Sequence, residues 1–289
     1  MQRLALGTVQ FGIPYGVSNQ HGKVGLVSAI AILKYAYMTG INTLDTAIAY
    51  GDSEDCLGQI GVGNWRVISK LSEIPNETNA IQCWVKESLQ GSLRRLQIPS
   101  LYGLLLHRPQ QLLNSKGQEI YNVLMGLKDE GLVDKIGISI YSPSELDDLG
   151  DRFSFDLVQA PFSIFDRSLQ QTGWLSRLKD LGVEVHVRSI FLQGLLLMNP
   201  INRPVYFDRW QFLWTEWEQW LNTNNLTALQ ACIGFALSNP DIDRVLVGVE
   251  NRSQLQEILV ATTLEFIKPP DTLSCDDLDL INPARWQLT

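Results

Sequence analysis

Cysteine is scarce in this chain, and the four that occur, Cys56, Cys83, Cys232 and Cys275, form no CxxC pair. Cysteines this far apart argue against a disulfide framework and against a zinc site. Positive charge is also in short supply, because 23 Lys and Arg residues face 31 Asp and Glu residues, for a net charge of −8. The overall field therefore does not favour binding to nucleic acid or to an anionic membrane surface.

Long apolar runs are missing as well. No stretch reaches the length of a membrane-spanning helix, and the opening segment MQRLALGTVQFG lacks the charged and apolar regions of a signal peptide. We therefore expect a cytoplasmic protein without a membrane partner. The spacing GxGxxG is also absent after the first strand-like segment, where the chain continues GTVQFGIPYG. This absence argues against a doubly wound dinucleotide-binding sheet.

Strand-like and helix-like segments alternate along almost the whole chain. The apolar segments predicted as strands are 4–8, 41–46, 66–71, 101–107, 135–140, 155–162, 183–190 and 244–249. Helical spacing of apolar residues predicts helices over 25–38, 79–96, 117–130, 142–149, 172–181, 206–222, 227–238 and 253–264, and a short one that begins over 53–57.

Apolar strands separated by helical crossovers indicate a parallel sheet covered by helices on both faces. At 289 residues, eight such repeats predict a closed (β/α)8 TIM barrel of the α/β class, in one domain over residues 1–289. The longest irregular stretch, residues 193–208, is predicted to lie as a loop over the mouth of the barrel after the seventh strand.

Four polar residues lie at or just after the carboxyl ends of the second, third and fourth predicted strands: Asp45, Tyr50, Lys70 and His107. In such a barrel the carboxyl ends of the strands meet at one pocket, so we expect the four side chains to converge. Lys70 lies between apolar residues and needs a partner for its charge, which Asp45 can supply. A nearby ammonium lowers the pKa of a phenol and makes Tyr50 a better acid, while His107 can hydrogen-bond a substrate oxygen. The set suits the protonation of a carbonyl oxygen while hydride reaches the carbon.

Several motifs together resemble the aldo/keto reductase family, and the resemblance covers nearly the whole chain. The motifs are DTAIAYG with SE following (45–54), SK (69–70), LLHRP (105–109), KIGIS (135–139), LVQAPFS (157–163) and VGVENRSQL (247–255). The resemblance implies a nicotinamide-dependent enzyme that reduces an aldehyde or ketone to an alcohol, or catalyses the reverse oxidation. The four polar residues would be its catalytic tetrad, with Tyr50 as the proton donor.

The resemblance also implies a set of cofactor contacts. They are Gly7, Thr8, Ser139, Gln159, Arg188, Ser189, Phe191, Gln193, Gly194, Gly248, Arg252, Gln254 and Glu257. Ser139 and Gln159 would hold the nicotinamide carboxamide, and Arg188 stands where many relatives carry an aromatic residue. Near the expected 2′-phosphate only Arg252 is cationic and Glu250 lies close by, so NADP is expected from the family and NAD is possible.

Other interpretations stay open. The barrel could be a cofactor-binding sensor or regulatory subunit that acts through a protein partner at the tryptophan stripe of residues 210–220, although its helical spacing favours core packing. A third interpretation makes Lys70 the Schiff-base amine of an isomerase or aldolase. The expected substrate is a small carbonyl compound, and Arg108 and Arg188 suggest a polar or anionic one such as a sugar derivative. A monomer and a weak dimer are both open.

Overall fold

The structure is a computed structural model of the chain, and it describes residues 3–288. Eight parallel strands hydrogen-bond in sequence order, and the last pairs with the first, so the sheet closes into a barrel. The strands are β1 (Leu4–Gly7), β2 (Thr43–Asp45), β3 (Arg66–Leu71), β4 (Leu101–Leu106), β5 (Val133–Ser139), β6 (Leu157–Pro161), β7 (Glu184–Arg188) and β8 (Arg244–Gly248).

Helices follow the strands and cover the outside of the barrel. They are α1 (Val9–Gly12), α2 (Leu26–Met38), α3 (Ser53–Ile60), α4 (Ile81–Leu96), α5 (Gly117–Asp129), α6 (Ser144–Leu149), α7 (Ser168–Gln171), α8 (Trp174–Asp180), α9 (Gln211–Thr223), α10 (Ala228–Ser238), α11 (Arg252–Ala261) and α12 (Leu278–Ile281). Short 3₁₀ turns occupy Pro109–Leu113, Leu195–Leu197, Pro200–Asn202, Val205–Trp210, Asp271–Leu273 and Pro283–Arg285. None of the helices between residues 3 and 288 is both long and apolar enough to span a membrane.

The predicted (β/α)8 barrel is confirmed by the closed sheet, and each predicted strand lies within two residues of an observed one. The helix predicted over 206–222 begins later, at Gln211, because residues 205–210 form a 3₁₀ turn. The loop predicted over 193–208 likewise contains 3₁₀ turns. The extension of one domain over residues 1–289 stays a prediction, and Met1, Gln2 and Thr289 lie outside the described residues.

The barrel interior contains a small apolar layer of its own. Ile68, Leu105 and Leu157 are fully buried and pack together, apart from the larger core between barrel and helices. Because side chains on a strand alternate in direction, Lys70 lies above Ile68 and Arg66 lies below it on the same face of β3. We call these three apolar residues the inner layer, the carboxyl end of the barrel the mouth, and the amino end the floor.

The tryptophan stripe is largely a packing face. Trp214 and Trp217 of α9 are buried, and both rings contact the ring of Phe165. Trp214 also donates its indole N–H to the carbonyl of Phe207 at 3.0 Å. These contacts explain the helical spacing of the tryptophans without a partner surface.

Candidate active site

The centre of the mouth is a buried ion pair between adjacent strands. Lys70 Nζ, at the end of β3, donates to Asp45 Oδ1 on β2 at 2.5 Å and to the Thr46 carbonyl at 3.0 Å. Lys70 is 1% exposed and Asp45 is 3% exposed. Gln159 on β6 donates its amide to the second carboxylate oxygen, Oδ2, at 2.7 Å. Both oxygens of Asp45 are therefore occupied, and the carboxylate is held in one orientation.

The charge of Lys70 is secured by its partners. Burial alone would lower the pKa of Lys70, but the negative charge of Asp45 and the hydrogen bonds to Asp45 and Tyr50 outweigh burial and raise it. Lys70 therefore remains an ammonium at neutral pH. A Schiff base requires a free amine, so this environment is the opposite of what the isomerase or aldolase interpretation needs.

Tyr50 lies in the turn between β2 and α3, within reach of this ammonium. Lys70 Nζ donates to Tyr50 Oη at 3.4 Å, and Nζ is 4.9 Å from the centroid of the phenol ring. The turn is pressed against α1, since a Cβ on Gly12 would lie only 1.7 Å from the Tyr50 carbonyl oxygen. Gly51 has a positive φ of 52°, and a Cβ at this position would lie 2.8 Å from the Gly12 carbonyl oxygen. These two glycines allow the turn to hold the phenol over Lys70.

His107 follows β4 and faces the phenol across the mouth. Its ring centroid is 6.0 Å from that of Tyr50, with the planes nearly perpendicular at 81°. Burial, followed by the positive charges of Lys70, Arg188 and Arg108, lowers the pKa of His107 to about 3. The imidazole is therefore neutral at physiological pH and can donate one hydrogen bond.

A cavity of about 700 Å³ opens above this group. Three members of the tetrad line it, Asp45, Tyr50 and His107. So do eleven of the predicted cofactor contacts: Gly7, Thr8, Ser139, Arg188, Ser189, Phe191, Gln193, Gly194, Gly248, Gln254 and Glu257. The structure brings these residues together, and their individual roles remain predictions.

The two other predicted contacts do not line the cavity. Gln159 is fully buried beneath it, where it accepts from Ser139 Oγ at 3.3 Å and donates to Asp45. The guanidinium of Arg252 lies over the ring of Tyr35, 4.7 Å from its centroid. Gln159 is thus placed to orient the tetrad, and Arg252 is turned to the outside of the barrel mouth.

Several lining residues have no counterpart in the sequence prediction. Gln10, Tyr15, Ser18, Tyr141, Thr227, Ala228, Pro283 and Ala284 all face the cavity. Tyr141 directly follows the predicted KIGISI strand, so its position could have been inferred. The segment 283–284 comes from the carboxyl-terminal part of the chain, and no local pattern connects it to the mouth.

The lining fits an extended phosphate-containing cofactor. Helices α10 and α11 present their first turns to the cavity through Thr227, Ala228 and Gln254, and helix amino ends attract phosphates. Gln10 Oε1 is a buried acceptor without a hydrogen-bond partner in the described structure. A Cβ on Gly194 would lie 1.9 Å from Ser18 Oγ, so the turn after β7 closes tightly beside Ser18. These residues would hold a nicotinamide dinucleotide.

Two arginines give the mouth a positive rim. Arg188 and Arg108 both lie over the ring of Tyr141, with their guanidinium carbons 4.9 and 5.0 Å from its centroid. Arg188 also donates to the Ile140 carbonyl at 2.8 Å. Neither arginine forms a salt bridge with any residue that the structure describes. Their charge is available to an anionic group of a ligand.

Comparison with known proteins agrees with this geometry. The model of the Aldo/keto reductase family matches residues 3–271. An uncharacterized oxidoreductase, YqkF of Bacillus subtilis, is 24% identical over 253 residues, which cover 81% of each chain. The NADH-specific methylglyoxal reductase of Escherichia coli is 24% identical over 309 residues, covering 94% of this chain and 93% of that protein.

A solved structure shares the fold. The aldo-keto reductase AKR11C1 from Bacillus halodurans, in its holo form, superposes with a TM-score of 0.73 at 21% identity, covering 92% of this chain and 88% of that one. The resemblance noted in the motifs is therefore confirmed over nearly the whole chain. On the family match and the closed barrel, the chain belongs to the aldo/keto reductase family.

Proposed function

We propose that this oxidoreductase reduces the carbonyl group of a small aldehyde or ketone to an alcohol with NADH or NADPH, or catalyses the reverse oxidation. The observation that carries the proposal is the 3.4 Å contact between Lys70 Nζ and Tyr50 Oη, built on a buried Lys70–Asp45 pair. Because the ammonium donates to the phenol oxygen, the proton of Tyr50 is free for another acceptor. A sensor that only binds a cofactor would not require this arrangement.

Each residue of the tetrad has a distinct task in this proposal. A bound nicotinamide would supply the hydride to the carbonyl carbon. Tyr50 gives its proton to the carbonyl oxygen, and the ammonium of Lys70 stabilises the phenolate that remains. Asp45 holds that ammonium in place. The neutral imidazole of His107 orients the carbonyl oxygen by donating a hydrogen bond.

We propose a polar or anionic substrate, such as an oxidised sugar derivative. The support is the rim of Arg188 and Arg108, whose guanidinium groups lie beside the ring of Tyr141. Among the described residues, 3–288, neither arginine has a salt-bridge partner. Arginine matches a carboxylate or phosphate with paired hydrogen bonds. The positive potential would raise the local concentration of anions around an otherwise acidic protein.

For the cofactor we propose NADH. The expectation of NADPH rests on the family, but the charges around α11 favour the cofactor without a 2′-phosphate. Glu250 and Glu257 line the cavity, whereas Arg252 is directed at Tyr35. One relative is itself named as specific for NADH. A cytoplasmic location and the oligomeric state stay predictions.

The decisive experiment compares two tyrosines that each lie near a lysine. Tyr50→Phe should lower the rate of carbonyl reduction by roughly 10²–10⁴ while cofactor binding, followed by quenching of tryptophan fluorescence, is unchanged. Tyr102→Phe, at the floor of the barrel, should keep the rate. The substrates would be a panel of aldehydes and ketones with and without carboxylates. Full activity of Tyr50→Phe would refute the assigned role, and saturable cofactor binding by wild type without any turnover would favour the sensor.

A further inference from the structure

The floor of the barrel contains a second cavity, on the side of the inner layer away from the tetrad. Its volume is about 320 Å³. It is lined by Arg66, Lys135, Lys179, Gly182, Val183, Glu184, Asp243 and Arg244. Several of these residues stand at the amino ends of their strands, so the cavity opens at the face opposite the mouth.

The charges around this cavity do not balance. Four cationic side chains line it against two carboxylates, which leaves a net charge of +2. Glu184 is already engaged, since it accepts from the Tyr102 hydroxyl at 2.6 Å, from Lys135, and from His186 Nε2 at 2.7 Å. Asp243 accepts from the Val185 N–H at 2.8 Å and from Lys179 at 3.3 Å. Neither carboxylate is left to neutralise an arginine.

The surplus charge belongs to Arg66 and Arg244. Arg244 is only 7% exposed, and its guanidinium donates to Thr43 Oγ1 at 3.4 Å and to the Asp243 carbonyl at 2.9 Å. Arg66 lies over the ring of Tyr102, 5.1 Å from its centroid. Within residues 3–288 neither arginine forms a salt bridge. A mostly buried guanidinium without a counter-ion is costly unless an anion or water compensates it.

The polar residues beside the cavity form a layer of their own. Burial alone would raise the pKa of Glu184, but hydrogen bonds from His186, Lys135 and Tyr102 outweigh it and hold the pKa well below its usual range. His186 is fully buried and lies in register with Arg244, and its Nδ1 has no hydrogen-bond partner in the described structure. The layer beside the cavity thus contains one buried ring nitrogen that no described residue satisfies.

We propose that the floor cavity binds a phosphoryl group between Arg66 and Arg244, as inorganic phosphate or as a small phosphate monoester. Guanidinium groups match the oxygens of phosphate with paired hydrogen bonds. A volume of about 320 Å³ accommodates a phosphate with a small organic substituent. The inner layer separates this site from the mouth, so binding here is independent of carbonyl reduction.

The test is calorimetric titration of the full chain with inorganic phosphate and with glycerol phosphate, each in the absence of NADH and again with NADH present to occupy the mouth. Saturable binding is expected, and Arg66→Gln should weaken it about tenfold or more, because a charge-assisted hydrogen bond is lost. Arg66 is exposed, so this variant should fold. Arg94→Gln, an exposed arginine on α4 outside the cavity, is the matched control and should bind as wild type does.

The outcomes separate the sources of the phosphoryl group. Tighter binding of glycerol phosphate would identify a monoester site, and equal binding would identify an inorganic phosphate site. Unchanged affinity in Arg66→Gln, or no binding to wild type, would overturn the proposal. Binding that is seen only without NADH would place the anion at the mouth and would also overturn it. None of these results depends on whether Tyr50 is a proton donor.

Discussion

At each end of the barrel a lysine, a carboxylate and a tyrosine are joined by hydrogen bonds, but the central member differs. At the mouth Lys70 is central, donating to both Asp45 and Tyr50. At the floor Glu184 is central, accepting from both Lys135 and Tyr102. The phenol of Tyr50 is thus an acceptor toward its lysine, whereas that of Tyr102 donates to Glu184, although the Lys135 ammonium also lies 5.2 Å from the centroid of its ring.

This difference in hydrogen bonding distinguishes the proposed proton donor, Tyr50, from a phenol that donates to a carboxylate. Burial, and then the hydrogen bond to Glu184, raise the pKa of Tyr102, so this phenol retains its proton. At the mouth the ammonium bonds the phenol oxygen and would stabilise the phenolate left after proton transfer. The same three kinds of side chain therefore suit the proposed proton transfer at the mouth only, and the difference lies in how they are connected.

The largest difference between the two ends should appear when each carboxylate loses its charge. Asp45→Asn leaves the buried ammonium of Lys70 without a counter-charge and should lower the free energy of unfolding by about 3–5 kcal/mol. Glu184→Gln should cost less, about 1–3 kcal/mol, because the glutamine amide oxygen can still accept from Tyr102 and His186, and water can solvate Lys135, whose side chain is 30% exposed. Urea unfolding at pH 7 measures both. Equal losses would contradict the distinction between a buried and a partly hydrated pair.

A smaller effect should distinguish the mouth by its pH dependence. With the pKa of His107 at about 3 in the folded chain and about 6.5 when unfolded, the unfolded state binds a proton that the folded state does not. The free energy of unfolding therefore falls as pH drops from about 6.5 towards 3, by at most about 1.4 kcal/mol per pH unit. Solvent in the cavity reduces this slope, because the imidazole is only partly buried.

The variant that isolates this contribution is His107→Gln. Its stability, measured by urea unfolding between pH 7 and pH 5, should fall less steeply with acid than that of wild type. His21→Gln, at an exposed position of the loop before α2, is the matched control and should keep the wild-type slope. If wild type and His107→Gln lost the same free energy of unfolding on acidification, His107 could not be a neutral imidazole of lowered pKa in the folded chain.

The smallest effect concerns arginines at the two ends. Arg66 and Arg244 line the floor cavity, but Arg252 lies outside the cavity of the mouth. Arg252→Gln should therefore change the ratio of NADPH to NADH affinity by less than about twofold, or ~0.4 kcal/mol.

Glu250→Gln should improve NADPH binding roughly threefold, because a carboxylate beside the expected 2′-phosphate is removed. Fluorescence titration measures both, and loss of NADPH binding in Arg252→Gln alone would show that Arg252 reaches the cofactor.

Most of the fold was predictable because a parallel barrel buries both faces of its strands. Segments such as 101–107 are almost uninterrupted apolar runs, and this one ends within one residue of the observed strand β4. Convergence of the tetrad followed from topology, since successive strands deliver Asp45, Lys70 and His107 to one end. Short helices such as α1 and α7 escaped prediction, because four residues show no periodicity.

The remainder of the site could not be predicted because it depends on distant contacts. The expected role of Gln159 at a cofactor carboxamide gave no hint that its amide would bind Asp45, 114 positions earlier. Pro283 and Ala284 reach the mouth only through the packing of the carboxyl-terminal segment.

The contact between Gly12 and the Tyr50 turn limits how this protein can be changed by evolution or in the laboratory. A methyl group at position 12 would occupy the place of the Tyr50 carbonyl oxygen, so even alanine would displace the turn. A library that randomises the first loop to alter substrate preference would therefore lose most of its active members at this position. Holding Gly12 constant and varying Tyr15, which lines the same cavity, would explore new substrates without moving the phenol.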